Sequence, residues 1–182
     1  MSADVGAQAA ARPADPDAAR IWDLAASVCD PEVPVLTLED LGILRSARLT
    51  PEGPRVEITP TYSGCPAVGR MRDDVTAVLT EHGYANPQVV VVLSPAWTTD
   101  WMSEEGCRKL EEYGIAPPDP AHRAARDADG PRFGGTRVAL SVKCPQCHSL
   151  DTRELTRFGS TACKAQYQCN ACLEPFDYFK VL

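Results

Sequence analysis

The apolar residues near the start of the chain recur with the period of an α-helix. They lie at positions i, i+3, i+4 and i+7, namely Ile21, Leu24, Ala25 and Val28. This spacing places them on one face of a helix, for which Asp15 or Asp17 is available as the N-cap. The helix is expected to end near Asp30, and Pro31 and Pro34 then predict a structured loop.

A β-hairpin is predicted after this loop. Residues 43–49 and 55–60 have the composition of two short strands. The sequence Thr50-Pro51-Glu52-Gly53 between them is typical of a turn.

The segment after the hairpin combines a helix with a strand. Beyond Cys65, apolar residues return to helical spacing as far as Leu79, and Gly83 is placed to end the helix. The run at residues 89–93 is apolar at every position, which predicts a strand covered on both faces. A strand, a helix and a strand in this order favour a parallel crossover. We therefore predict an α+β domain with a small mixed sheet, which ends in a short helix at about residues 103–113.

Composition divides the 182 residues into four parts. Residues 1–16 are rich in alanine and have no apolar period, which predicts a disordered tail. The α+β domain occupies residues 17–115, and the prolines that follow it indicate a linker over residues 116–136. Residues 137–182 begin with an alternating pattern that predicts a strand, and they form a second, smaller unit.

Charge and apolar content limit the classes of partner. The net charge is −7, without a segregated positive region, which disfavours binding to the phosphate backbone of nucleic acid. No run approaches the ~18 apolar residues that a membrane span requires. The first residues also lack the basic and apolar regions of a secretory signal. We therefore expect a cytoplasmic protein that binds neither nucleic acid nor membranes.

Two Cys-x-x-Cys pairs near the end of the chain predict a metal site. They are separated by 21 residues and consist of Cys144, Cys147, Cys169 and Cys172. In a reducing compartment such pairs indicate metal ligation or thiol chemistry rather than disulfides. Four thiolates fill the tetrahedral shell of zinc, and metal binding supplies folding energy that a unit of about 45 residues lacks. We predict a structural zinc ribbon, with a redox-active dithiol or an iron site as alternatives and with His148 outside the metal shell.

Two further cysteines are candidates for chemistry. Cys65 is predicted at the N-cap of the second helix, where the helix dipole and free backbone N–H groups would lower the pKa of the thiol. The alternative is a small cap residue in a packed turn. Cys163 lies too far from Cys169 along an extended strand to share its metal. It is predicted either as a buried free thiol or as a second functional thiol favoured by Lys164.

Acidic and aromatic residues in two loops complete the set of candidates. Asp30, Glu32 and Asp40 lie in the proline-containing loop, where carboxylates usually cap backbone N–H groups. Trp97 and Trp101 flank a short polar segment. Two exposed indoles there would indicate a partner surface, whereas buried ones would belong to the core.

Longer segments of the chain resemble a known family. DPEVPVLTLEDLGI and TPTYSGCP resemble the metal–sulfur cluster assembly family. SPAWTTDWMSEEG and RFGSTACKAQYQCNACLEPFDYFK resemble the branch of that family with a C-terminal zinc ribbon, which belongs to phenylacetate degradation. The similarity covers about residues 17–182. It implies that Cys65 is the reactive thiol, that Asp30 and Glu32 form the acidic loop, and that the ribbon cysteines are the metal ligands.

The resemblance also implies a function. Members of this branch are associated with phenylacetyl-CoA epoxidase, and the implied role is an accessory protein that helps to assemble or insert a metal centre. The implied partners are the oxygenase or reductase subunits, with a homodimer as a further option. The implied cargo is a transient iron–sulfur cluster or iron, and the implied resident metal is zinc. Alternatives are a thiol enzyme that uses Cys65, which would need His82 or His122 as a base, and a zinc ribbon that binds nucleic acid.

Overall fold

The chain divides into two units, Met1–Gly106 and Cys107–Leu182. The structure is a computed structural model that describes residues 9–119 and 141–181. The predicted tail lies outside the described residues up to residue 8, and the predicted linker does so from residue 120. Within the described ranges, none of the helices has the length and apolar character needed to cross a membrane.

The first helix, α1 (Pro16–Ala26), forms where the apolar spacing predicts it. Asp15 is the N-cap, and its side chain accepts a hydrogen bond of 2.9 Å from the backbone N–H of Ala18. This bond satisfies one of the N–H groups that have no partner within the helix. Ile21 and Ala25 on the predicted apolar face are fully buried. Burial of this stripe fixes α1 on the core of the first unit.

The sheet of the first unit has three strands. β1 (Leu44–Thr50) and β2 (Gly53–Ile58) form the predicted antiparallel hairpin, and β3 (Gln88–Val91) lies parallel to β2 on its other side. The predicted helix, α2 (Ala67–Glu81), connects β2 to β3. Gly83 follows it with φ of +85°, a conformation that glycine adopts without strain.

One face of this sheet contributes to the core, and the other is polar. The buried strand residues share one face: Leu44, Ala47, Val56 and Ile58. α1 and α2 contact each other and the strands. On the opposite face, the carboxylate of Glu57 accepts hydrogen bonds from Ser46, Arg48 and Arg55. The sheet is therefore packed against helices on a single face.

The predicted position of β3 is confirmed, but its predicted burial on both faces is wrong. None of residues 88–93 is buried, and Val91 and Leu93 are 37% and 59% exposed. The physical reason is that β3 is an edge strand of a sheet with helices on one face only. An unbroken apolar run favours a strand without specifying how many neighbours cover it.

A loop with a short 3-10 helix (Thr99–Trp101) and α3 (Glu104–Glu112) follow β3. Trp97 and Trp101 are both buried. The indole N–H of Trp97 donates to the backbone carbonyl of Leu41 at 2.8 Å. The two tryptophans therefore belong to the core and do not form a partner surface.

The second unit contains a four-stranded sheet. Its strands are β4 (Ile115–Ala116), β5 (Thr152–Thr156), β6 (Lys164–Cys169) and β7 (Pro175–Phe179). They are arranged in the order β4-β7-β6-β5, with β4 parallel to β7 and the other pairs antiparallel. The core includes Ala116, Val142, Cys144, Ala165, Cys169, Phe176 and Tyr178. Ile115 was predicted as the last residue of the first domain and Ala116 as the first residue of the linker. In the structure both belong to β4, a strand of the ribbon sheet.

The strand predicted before the first cysteine pair lies outside the described residues, apart from its end. Val142 is described and buried, but it is not part of a strand. Its backbone carbonyl accepts a hydrogen bond of 2.6 Å from the hydroxyl of Thr152. This bond fixes the chain next to β5 as it enters the first cysteine pair.

Candidate functional site

Cys65 lies in the turn that leads from β2 into α2. Its backbone N–H donates to the carbonyl of Tyr62 at 3.1 Å, and its own carbonyl accepts from the N–H of Val68 at 3.4 Å. The N-cap position of α2 is occupied by Pro66, whose own side chain makes no capping hydrogen bond. The predicted N-cap role of Cys65 is therefore wrong by one residue. Pro66 has helical backbone angles, which its ring favours, and it lies between the turn that contains Cys65 and Ala67, the first residue of α2.

Burial raises the pKa of the Cys65 thiol. The charges of Glu32 and Asp30 raise this pKa further, and hydrogen bonds from the Ala67 N–H and from Tyr62 lower it without offsetting the rise. The predicted lowering of the pKa is therefore wrong. Burial and two nearby carboxylates disfavour the thiolate more strongly than the start of α2 favours it. At neutral pH the Cys65 thiol is protonated.

The loop between α1 and β1 supplies the two carboxylates. Asp30 is buried, and one of its carboxylate oxygens accepts hydrogen bonds from the N–H groups of Glu32 at 2.7 Å and Val33 at 2.9 Å. The N–H of Asp30 donates to the carbonyl of Leu36 at 2.8 Å, which closes the loop. The charges of both carboxylates reach the Cys65 thiol, and Asp30, Glu32 and Cys65 are together called the Cys65 cluster. Their ligand atoms are less closely spaced than the four ribbon thiols, which form the only group of three or more among the described residues whose ligand atoms lie within 4.8 Å of one another.

Asp40, the third acidic candidate in this loop, has a structural role. Its carboxylate accepts hydrogen bonds from the N–H of Thr37 at 3.0 Å and from the hydroxyl of Ser103 at 3.2 Å. Ser103 in turn accepts a hydrogen bond of 2.8 Å from the N–H of Gly106. Asp40 therefore joins the loop to the start of α3, in agreement with the capping role expected for such carboxylates.

Arg45 is a notable residue that the sequence analysis missed. It lies where the register of β1 and β2 is irregular, between Leu44 and Ser46. Its guanidinium carbon is 3.8 Å from the centre of the Trp101 ring, a cation–π contact, and burial lowers the pKa of Arg45. Its Nη1 atom is buried without a hydrogen-bond partner in the part of the chain that the structure describes. A charged residue at the start of a predicted strand was the only sequence signal for it.

The four ribbon cysteines meet in the second unit. Their sulfur atoms all lie within 4.8 Å of one another, with 3.8 Å between Cys144 and Cys172 and 3.5 Å between Cys147 and Cys169. For zinc–sulfur bonds of about 2.3 Å, the sulfurs of a tetrahedral site lie about 3.8 Å apart. The donor set and the spacing therefore fit zinc, and four thiolates leave no open coordination position.

Backbone groups in the two turns support these thiolates. The N–H groups of Cys172 and Ala171 lower the pKa of Cys169 to about 7, whereas burial and the neighbouring ribbon thiols raise the pKa values of Cys147 and Cys172. The N–H of Cys144 donates to Ser149 at 3.0 Å, and that of Cys169 donates to Glu174 at 3.0 Å. Equivalent turns thus present both cysteine pairs, which is the arrangement of a closed structural site.

Cys163 and His148 lie outside this cluster. Cys163 is buried, and its sulfur is 3.0 Å from the hydroxyl of Thr161. The ammonium of Lys164 pairs with Asp177 at 3.2 Å. The structure thus agrees with a buried thiol at Cys163. The side chain of His148 is 62% exposed, as expected for a residue outside the metal shell.

Two segments of the chain match known protein families. Residues 18–89 match the family described as iron-sulfur cluster assembly protein. Residues 128–180 match the PaaD zinc beta ribbon domain. The first match contains Asp30, Glu32 and Cys65, and the second contains all four ribbon cysteines. Fold and site therefore define an iron–sulfur cluster assembly domain followed by a zinc ribbon.

A curated relative extends this result over most of the chain. The chain is 43% identical over 169 residues to a protein of Escherichia coli (strain K12) that is named as a putative subunit of 1,2-phenylacetyl-CoA epoxidase. The alignment covers 93% of this chain and 96% of the relative. The chain belongs to this PaaD family.

Two solved structures are similar to part of the chain. A domain of unknown function, DUF59, from Bacillus anthracis is 26% identical with a TM-score of 0.47, over 50% of this chain and 88% of that chain. A conserved hypothetical protein from Thermotoga maritima is 22% identical with a TM-score of 0.43, over 55% of this chain and 97% of that chain.

Proposed function

We propose that this chain is an accessory protein of phenylacetyl-CoA epoxidase that helps to assemble or insert an iron–sulfur or iron centre. The observation that carries the proposal is the cluster of Cys65, Asp30 and Glu32 within the segment that matches the iron–sulfur cluster assembly family. The name of the Escherichia coli relative supports the epoxidase as the client.

The chemistry of the cluster suits a cation that is delivered and not retained. Thiolate and carboxylate groups both bind iron. In the absence of a cation, the two carboxylates and burial keep the Cys65 thiol protonated. A bound cation would offset their negative charge and favour the thiolate, so that uptake of the metal is coupled to loss of a proton. Iron or an iron–sulfur cluster is the proposed cargo.

The ribbon is proposed to have a structural role, because its four thiolates leave no position for a substrate. The proposed partners are the oxygenase or reductase subunits, and the proposed compartment is the reducing cytoplasm. The raised pKa of Cys65 disfavours the alternative of a thiol enzyme, which needs a reactive thiolate. The net charge of −7 disfavours a nucleic-acid partner.

The test measures the metal content of the client. Oxygenase and reductase subunits are purified from cells with the wild-type chain, without it, and with the Cys65→Ala variant. Iron, acid-labile sulfide and phenylacetyl-CoA turnover are then determined. We expect less iron or sulfide and lower turnover in the last two cases, at unchanged subunit stoichiometry, because the thiol acts before catalysis.

A second cysteine provides the matched control. Cys29 is exposed, and its sulfur is 3.9 Å from the carbonyl of Ser27. Cys29→Ala removes a thiol from outside the cluster and is expected to give fully loaded epoxidase. Fully loaded and active epoxidase in cells that lack the chain, or that carry Cys65→Ala, would refute the role in maturation.

A further inference from the structure

The described edge strands of the two sheets differ in their protection against pairing with other strands. Natural proteins protect an edge with charged side chains, with an irregular register or by keeping the strand short. β1 carries Arg48 and an irregular register. β5 carries Arg153 and Glu154 and is also irregular, and β4 has two residues only. Three of the four edges are therefore protected.

β3 is short, with four residues, but it has neither charged side chains nor an irregular register. The stretch from Gln88 to Leu93 contains no charged residue and no proline. Its register with β2 is regular up to Val91, so no bulge turns the edge away. The exposed fractions of Val91 and Leu93 are 37% and 59%. A regular, uncharged and apolar edge is the type that pairs with a further strand.

The outward backbone groups of this edge follow from one hydrogen bond. The N–H of Val92 donates to the carbonyl of Ile58 in β2 at 2.9 Å. Because backbone groups alternate in direction along a strand, those of Val89 and Val91 point away from β2. No strand within residues 9–119 and 141–181 lies on that side.

We propose that β3 pairs in antiparallel orientation with β3 of a second copy of this chain. The two three-stranded sheets then form one continuous sheet around a two-fold axis. Among the registers that the outward groups allow, we take the one in which Val91 lies opposite its own copy, because it brings the exposed Leu93, just beyond the end of β3, beside Val89 of the partner. This pairing covers the exposed side chains of Val91 and Leu93 with equivalent apolar side chains from the partner.

A second copy fits this edge better than a different protein does. An uncharged strand has no group that selects an oppositely charged partner, and no like charges meet when it pairs with itself. The second copy also brings an equally unprotected edge. The net charge of −7 opposes approach of two copies, but physiological salt screens charges beyond about 8 Å.

The proposed dimer leaves the two Cys65 clusters separate. The turn that contains Cys65 follows the end of β2, and β3 runs parallel to β2. Antiparallel pairing of the two copies therefore places their Cys65 turns towards opposite ends of the joined sheet. The dimer does not use Cys65, and it is independent of the proposed function.

The first test measures the mass of the full chain in solution by sedimentation or light scattering. We expect twice the 19.7 kDa mass of the chain. Val91→Lys places two like charges opposite each other and is expected to raise the dissociation constant at least about tenfold. Leu49→Lys is the matched control, because Leu49 is 49% exposed on β1, the other edge of the same sheet. Leu49→Lys and Cys65→Ala should both remain dimeric.

The second test uses cross-linking and does not depend on the stability of the lysine variant. In the proposed register the Cα atoms of the two Val91 residues are about 5.5 Å apart, within the range of a disulfide. Val91→Cys should therefore form a covalent dimer on mild oxidation, and Leu49→Cys should not.

Three outcomes would overturn the proposal. They are a wild-type monomer up to the highest soluble concentration, a dimer that Val91→Lys does not weaken, and equal cross-linking of the two cysteine variants. A monomer whose binding to one of the epoxidase subunits is abolished by Val91→Lys, but not by Leu49→Lys, would assign the edge to a strand of that protein.

Discussion

Glu32 acts on the Cys65 thiol through its charge, so its contribution can be separated from burial. The negative charge raises the pKa of Cys65 and lowers the thiolate fraction at neutral pH. Glu32→Gln removes the charge at nearly constant size. We expect the pKa of Cys65 to fall and its alkylation at neutral pH to become faster, because the thiolate is the reactive species. Mass spectrometry of labelled peptides over a series of pH values measures this rate.

Two comparisons control this experiment. Glu52→Gln makes the same change in the turn between β1 and β2, and Glu52 is not among the groups that shift the pKa of Cys65. The exposed thiol of Cys29 serves as an internal reference. Asp30→Asn is less suitable, since the Asp30 carboxylate also holds the loop through two backbone hydrogen bonds. Equal Cys65 rates in wild type and Glu32→Gln would remove the electrostatic basis of the proposed cargo site.

At the residue scale, the sequence indicated which groups form the cluster but not how they influence each other. Family resemblance selected Cys65, Asp30 and Glu32, and in the structure the charges of Glu32 and Asp30 raise the pKa of Cys65. The direction of the pKa shift was predicted wrongly, because local helix electrostatics were weighed without burial and without carboxylates from a distant loop. Arg45 was missed for a related reason. Its buried Nη1 results from tertiary packing against Trp101.

At the scale of elements, the loop before β1 depends on a close approach of two backbone segments at Gly42. This residue has φ of +66°, and a Cβ atom placed on it would lie 2.2 Å from the carbonyl oxygen of Trp101. Gly42→Ala adds left-handed strain and displaces the Trp101 backbone. We expect a loss of roughly 2–5 kcal/mol in the stability of the first unit. Urea unfolding followed by tryptophan fluorescence measures the loss.

Gly69 offers the matched control for this substitution. It lies in α2, and a Cβ atom placed on it meets nothing within 4 Å. Gly69→Ala is expected to stabilise the unit by about 0.5–1 kcal/mol, since alanine favours a helix over glycine. Unchanged unfolding of Gly42→Ala would show that the close approach does not limit this position.

Helices and the hairpin were predictable because their signals are local. The spacing of apolar residues, the cap at Asp15 and the turn composition after Thr50 each act within a few residues. The exposure of β3 was not predictable from its sequence, because the apolar run at residues 89–93 does not specify which helices or strands lie beside it. The same holds for β4, whose two residues form a strand only by pairing with β7.

At the scale of the whole molecule, the two units are expected to respond differently to metal removal. The cysteine cluster lies in the second unit, whereas Trp22, Trp97 and Trp101 all lie in the first. Zinc binding contributes about 10 kcal/mol or more to small domains of this type. We expect one zinc per chain, and chelation should unfold the ribbon and leave the tryptophan fluorescence unchanged. Metal analysis measures the zinc content, and near-ultraviolet circular dichroism of Tyr167 and Tyr178 measures unfolding of the ribbon.

Three cysteine substitutions in the second unit separate loss of the metal from loss of a buried thiol. Cys169→Ser removes a ligand and should abolish zinc binding and the tyrosine signals, as Cys144→Ser should. Cys163→Ser changes a buried thiol outside the cluster and should retain one zinc per chain. The tryptophan signal of the first unit should be the same in all three variants. A ribbon that stays folded without zinc would show that metal binding does not supply its folding energy. A change in tryptophan fluorescence when the metal is lost would show that the two units do not fold independently.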